Sequence, residues 1–340
     1  MALFGAWRSL VARTVRVGEV AGSNPAAPIV RVFVAGATGA VGRPLVRQLV
    51  DAGHEVTGMT SKEAGRAAVE AEGGEAVVCD ALDADAVHRA VTEAEPEIVI
   101  SQLTRLPREY NPRTIDYGPT NRAREEGGRN LIAAARAAGA RRFVTQSIAF
   151  IYAPEGDMIK DETARPWADA PAPFGSGAES TLTHEREALG AEGLEGVVLR
   201  YGQFYGPGTY YAPGGSVAEQ VRRRRFPIVG RGGGVFSFVH VEDAASATAA
   251  AAEQGAPGIY NVVDDEPAPL REWLPVYAEA LSAKPPRRVP VIVARLLGGV
   301  VATMFATELR GASNEKAKRD LGWQPRYASW REGFAESLRD

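Results

Sequence analysis

Cysteine is almost absent from this 340-residue chain. Cys79 stands alone, so no disulfide can close within it, and a reducing, cytoplasmic setting is the expectation. Histidine is scarce too: His54, His88, His184 and His240 are scattered, without the i, i+4 or Cys/His spacing of metal sites, and no metal is expected. A formal net charge of −3 and a pI near 6.0 leave no basic excess for a nucleic-acid surface. Long apolar runs are missing as well. The most apolar stretch, 289–306, is interrupted by Arg295, and its uncharged run 296–307 falls short of the about 20 residues that cross a bilayer. A buried helix is expected there, and no membrane partner.

What is present is ordinary for a globular protein: 45% hydrophobic and 24% charged residues. The length suits one large α/β domain plus a smaller lobe. Residues 1–29 read as an extension outside the fold. Met1 to Arg16 carries three arginines and no acid, which fits a targeting helix. Ala21-Gly-Ser-Asn-Pro25 also matches the translated T-arm of a transfer-RNA gene, and a start site placed upstream of a native start near Val30 is the favoured expectation.

From Val30 onward, short β-branched runs alternate with amphipathic helical stretches, the pattern of a doubly wound parallel sheet of Rossmann type. Strands are expected at 30–35, 55–59, 76–79, 97–101, 142–146, 196–201 and 258–263. The dinucleotide-binding domain would span 30–205 with 235–263 returning to it. The segments 206–234 and 264–340, rich in Pro, Gly and Trp, would form a smaller substrate lobe.

The loop Gly36-Ala37-Thr38-Gly39-Ala40-Val41-Gly42 joins the first strand to a helix. Glycines there permit a tight turn, close backbone approach to a pyrophosphate and close helix–strand packing, while the helix N-terminus offers unpaired N–H groups. A tight turn alone would also explain them, but the run of further strand–helix units favours a nucleotide. The second strand ends in Thr60-Ser61-Lys62, with Arg66 and Glu63 nearby, where an NAD-binding chain would place a carboxylate. Hydroxyls and a cation suit the 2′-phosphate of NADP(H), which is preferred, with NAD(H) as the alternative. Asp80, at the third strand tip, is placed to accept from the adenine amino group or to cap a helix. The expected cofactor contacts are Gly36, Thr38, Gly39, Ala40, Val41, Gly42, Thr60, Ser61, Lys62, Asp80, Ala81 and Leu103.

This loop, together with Arg142-Phe-Val-Thr-Gln-Ser147, Leu199-Arg-Tyr-Gly-Gln-Phe-Tyr-Gly-Pro-Gly208, Phe238-Val-His-Val-Glu-Asp243 and Leu321-Gly-Trp-Gln-Pro325, resembles the extended short-chain dehydrogenase/reductase superfamily, the NAD(P)-dependent epimerase/dehydratase group. The resemblance implies a Tyr-x-x-x-Lys pair on the helix after the fifth strand, passing a proton to or from the substrate oxygen. Residues 175–187 contain neither Tyr nor Lys. Ser147 or its neighbour Ile148 takes the place of the family's strand-end hydroxyl. Tyr152, His184 and Tyr201 are candidate proton donors, each with a plain packing role as the alternative. Ser147 and Tyr152 are carried forward as catalytic candidates. Phe236 stands where nucleotide-sugar enzymes of the family keep a diphosphate-gripping Arg, and Gln203 replaces a substrate-contacting Asn. The run Arg222–Arg225 points all around a helix and reads as a solvated face.

These readings converge on an NAD(P)-dependent oxidoreductase acting on a carbonyl or alcohol of a small, fairly apolar metabolite. Gln203, Phe204 and Phe236 would line its pocket, with Tyr205, Tyr210 and Tyr211 beside them. A homodimer is compatible with the resemblance. Two other readings stand beside it: a non-catalytic NADP(H) sensor, and a nucleotide-sugar epimerase or dehydratase.

Overall fold

A computed structural model describes residues 29–107, 109–111 and 114–338; the reading of 1–28 lies outside them. Seven parallel strands form the central sheet: β1 (Arg31–Ala35), β2 (Glu55–Thr60), β3 (Glu75–Val78), β4 (Ile98–Ser101), β5 (Arg142–Ile148), β6 (Glu195–Tyr201) and β7 (Gly258–Val262). Their order is β7-β6-β5-β4-β1-β2-β3. Each expected strand is in this sheet, its ends displaced by two residues at most. β4 and the first six residues of β5 are buried along their length, as strands covered on both faces must be.

The order reverses between β1 and β4, which pair directly. The chain leaving β1 and the chain leaving β4 therefore diverge to opposite faces, opening a crevice at the carboxyl ends of the strands. Around the sheet lie α1 (Gly42–Asp51), α2 (Arg66–Glu70) and α3 (Ala84–Ala94). A continuous helical segment then joins β4 to β5. It consists of α4 (Gly118–Arg122), a π turn (Ala123–Gly127) and α5 (Gly128–Ala137). α6 (Phe174–Leu189) follows β5 and packs on β5, β6 and the π turn.

The smaller lobe has a core of its own, built from rings. Trp273, Trp330, Phe238, Phe334, Tyr205, Tyr211 and Tyr277 are all buried in one cluster. It draws on α7 (Ser216–Arg222), α9 (Leu270–Ala280) and the C-terminal helix Trp330–Ser337, while α8 (Val241–Glu253) packs into the sheet core. The motif Phe238 to Asp243 welds the lobes together. Glu242 accepts two 2.7 Å bonds from Arg47 of α1, and Asp243 accepts from the Arg326 and Tyr327 amides.

One expectation is corrected here. The apolar helix Val291–Glu308 is not buried: Ile292 and Leu296 are each 74% exposed, and Gly299 at φ +85° breaks its axis. Its inward face holds only Ala294, Val301, Thr303, Met304 and Ala306. By length and composition alone it is apolar enough to cross a membrane.

Candidate active site

Backbone close approach shapes the loop after β1. Gly36 has φ +83°, and a Cβ there would lie 2.6 Å from the Gln102 carbonyl oxygen. A Cβ on Gly42 would overlap the Gly36 carbonyl oxygen and sit 2.9 Å from the Ala37 backbone. The turn is closed by Gly39 N–H donating to Gly36 O at 3.0 Å. α1 starts without a side-chain cap, and the amides of Thr38, Ala40, Val41 and Gly42 have no acceptor among the described residues. Thr38 and Gly39 face solvent. Unpaired N–H groups at a helix N-terminus, in a turn cleared of side chains, fit a pyrophosphate.

Beside it, at the end of β2, Thr60 is buried, while Ser61 and Lys62 are exposed. Lys62 makes no ion pair among the described residues. Arg66 is committed elsewhere: Nε donates to Glu63 at 2.8 Å and an Nη to the Ala76 carbonyl at 2.7 Å. Glu63, whose direction the sequence left open, is thereby turned onto Arg66. Asp80 accepts from Arg105 at 2.8 Å and from the Leu82 amide at 3.1 Å. It does not cap α3; Asp83 does. Ala81 and Leu103 meet over Gly127 of the π turn, where a Cβ would come 3.0 Å from the Ala81 methyl and 3.1 Å from Leu103.

Ser147 and Tyr152 are both buried, each 1% exposed. The Ser147 hydroxyl donates to Glu185 at 2.5 Å. Glu185 is gripped by Arg200 at 2.8 and 2.6 Å. Tyr152 donates to Asn261 at 2.7 Å and accepts from Arg200 at 3.2 Å. Burial pushes the Tyr152 phenol up to about 12, against the opposing pull of Arg200. Burial works against the Arg200 charge, yet the Glu185 pairing holds its guanidinium above the usual range. The set is a buried network that ties β5, α6, β6 and β7.

The other expected donors are also occupied. Tyr201 shares its hydroxyl between Thr248 at 2.6 Å and Gln102 at 2.9 Å, and burial raises it to about 12. His184 sits 2.7 Å from the Thr145 hydroxyl, and burial, helped by Arg124 and Arg129, drives it down to about 4. It is neutral near pH 7 and enclosed.

The pocket wall is corrected as well. Phe236 is 3% exposed and packs on Trp273, ring centroids 5.0 Å apart, inside the aromatic core. Tyr205 and Tyr211 belong to the same core. Gln203 and Phe204 are half-buried, and Phe204 lies 5.2 Å from the Tyr201 ring. Tyr210 is half-buried and donates to the Pro107 carbonyl at 2.5 Å. The arginine run is solvated as expected: Arg222 and Arg223 both pair with Glu219.

A Tyr-x-x-x-Lys pair would need two residues four apart on the buried face of α6. The buried side of α6 carries Gly177, Thr181 and Glu185 at that spacing, with Phe174, Ala178 and Leu182 beside them, and none of these is Tyr or Lys. Two residues that sequence reasoning passed over fill the space instead. The Tyr117 ring lies 3.6 Å from where a Gly177 Cβ would be. Arg124, buried on the π turn, donates to Thr181 at 3.0 Å. Arg124 stands in the charged run Arg122-Ala-Arg-Glu-Glu126, where Arg122 is exposed and both glutamates are half-buried. The π turn adds a residue and rotates it inward.

The profile of the NAD dependent epimerase/dehydratase family matches residues 32–262. A 3-diazoavenalumate denitrifying reductase of a Streptomyces species is 46% identical over 306 residues, 89% of this chain and 99% of that protein. The 2-alkyl-3-oxoalkanoate reductase of Stenotrophomonas maltophilia is 28% identical, covering 87% and 94%. Among solved structures, the UDP-glucose 4-epimerase of Thermus thermophilus in complex with NAD is 27% identical, with TM-score 0.69 over 91% of this chain and 97% of that one.

Proposed function

The chain belongs to the NAD-dependent epimerase/dehydratase family, and on that footing we propose that it is an NADP(H)-dependent reductase of a small metabolite with an apolar body. It is an NAD(P)-dependent oxidoreductase by family and by its reductase relatives, which sets the non-catalytic sensor aside. The observation that carries the finer reading is the exposed, uncommitted Lys62 beside buried Thr60 and exposed Ser61, one strand from the uncapped glycine turn.

When bound, the nicotinamide supplies or accepts a hydride at the substrate carbon. The chain's own share is binding and orientation. Amides of the glycine turn would hold the pyrophosphate, and Ser61 and Lys62 the 2′-phosphate. The Ser147–Glu185–Arg200 network keeps the end of β5 rigid beneath the crevice. The reading is supported by relatives named as a 3-diazoavenalumate denitrifying reductase and a 2-alkyl-3-oxoalkanoate reductase, both reductases of small molecules. Phe236, buried in the aromatic core, bears no diphosphate, and no Arg takes its place there; that weighs against a nucleotide-sugar substrate.

Lys62→Gln tests the cofactor choice. Loss of one charge-assisted contact to phosphate predicts an about tenfold rise in the Kd for NADPH with that for NADH unchanged. A titration in which both nucleotides weaken alike, or neither does, contradicts the 2′-phosphate role.

A further inference from the structure

Three buried arginines invite comparison. Arg142, 4% exposed, is fully provided for: Glu195 at 2.9 Å and the carbonyls of Ala251, Gln254 and Gly255 at 2.7–2.9 Å surround it. Arg200, 2% exposed, has both oxygens of Glu185 and the Tyr152 hydroxyl. Arg124 is different. It is 7% exposed, its hydrogen bond is to the neutral Thr181 hydroxyl, and its Nε is buried without a partner. No carboxylate pairs with it among the described residues.

Charge accounting around it gives the same result. Glu185, the nearby acid, is held by Arg200, and His184 is neutral. Two guanidiniums thus share one carboxylate, leaving one positive charge uncompensated. Burial pulls the Arg124 guanidinium down to about 10 even with Tyr117 and Glu185 opposing it. A buried, unpaired charge is strongly unfavourable unless something anionic meets it. A side chain kept for packing would not need that charge.

Its position locates the missing anion. Arg124 lies on the π turn whose Gly127 touches Ala81 and Leu103 at the ends of the β3 and β4 connections, on the crevice side of the sheet. Tyr117 flanks it, and beyond Tyr117 lie Tyr110 and Tyr210, their rings tilted at 42° with centroids 5.7 Å apart.

We propose that Arg124 receives a carboxylate carried by the substrate, with the phenol rings of Tyr117 and Tyr210 walling the unsaturated or aromatic body attached to it. The proposal rests on the reading that this crevice holds a dinucleotide and a reducible substrate. It makes the substrate an acid, anchored at one end by Arg124 so that its reducible group is presented to the nicotinamide.

Benzoate and benzamide, equal in shape and different in charge, are the probes. Calorimetric titration of the wild-type protein, with and without NADP+, should give benzoate an affinity about tenfold or more above that of benzamide. Arg124→Gln should bring the two ligands together while NADP+ affinity stays, and Arg124→Lys should restore part of the preference. Equal binding of the two, absence of benzoate binding, or a preference that survives Arg124→Gln would overturn the proposal. The wild-type pair decides even where a variant fails to fold. Absence of NADP+ heat in the same samples would strike the cofactor reading separately, because the anion preference is also measured without nucleotide.

Discussion

Gly42 shows how tightly the nucleotide turn is drawn. A single methyl group at that position would overlap the Gly36 carbonyl and press on the Ala37 backbone, and backbone cannot rotate away as a side chain would. Gly42→Ala should cost about 1–3 kcal/mol of stability through overpacking and displace the amides proposed to hold the pyrophosphate. Thermal unfolding and NADPH titration of the same sample check both effects; a variant matching wild type in each would show that the turn has slack. Glu185 is the other residue on which much depends. Removing it leaves Arg200 buried without a counter-charge and Ser147 without an acceptor. Glu185→Ala is expected to lose about 3–5 kcal/mol, measured by denaturant unfolding, and a loss under 1 kcal/mol would mean the network is not the brace described above.

At the scale of elements, α6 joins stability to pH through His184. In the unfolded chain this imidazole titrates near its ordinary 6.5, and in the folded protein near 4, because it is buried and faces Arg124 and Arg129. Between those values the unfolded chain binds more protons, so stability is full above pH 6.5 and drains away as pH falls toward 4. His240, the cap of α8, is lowered to about 4 as well, by burial ahead of its charged neighbours. Unfolding free energies across that range should fall with acid, and His184→Gln should flatten the slope; an unchanged slope would remove His184 from the account. Elements are also where the sequence was most readable. Seven strands were visible because parallel, twice-covered strands are short β-branched runs such as 98–101 and 142–146. The glycine turn was visible because its spacing is set by backbone contact. Hidden were features that depend on where a side chain ends up after packing. Arg124 turns inward through an irregular π turn, Phe236 turns away from the cleft into a ring cluster built from distant segments, and Ser147 is covered by an acid 38 residues later. The apolar helix at 291–308 misled for a related reason: composition reports hydrophobicity, not whether a neighbour exists to cover it.

On the scale of the whole molecule, two cores meet along a crevice. The aliphatic sheet core and the aromatic lobe core are joined by the Arg47–Glu242 and Asp243–Arg326 contacts, which fix the 238–243 segment between them. A ligand held by the first should stabilise the chain in proportion to its occupancy. The most direct measurement is calorimetric titration of the purified wild-type protein with NADPH and with NADH. The account predicts one NADPH per chain, bound more tightly than NADH, with the heat lost in Gly42→Ala. No heat from either nucleotide, or full binding retained by Gly42→Ala, would contradict it.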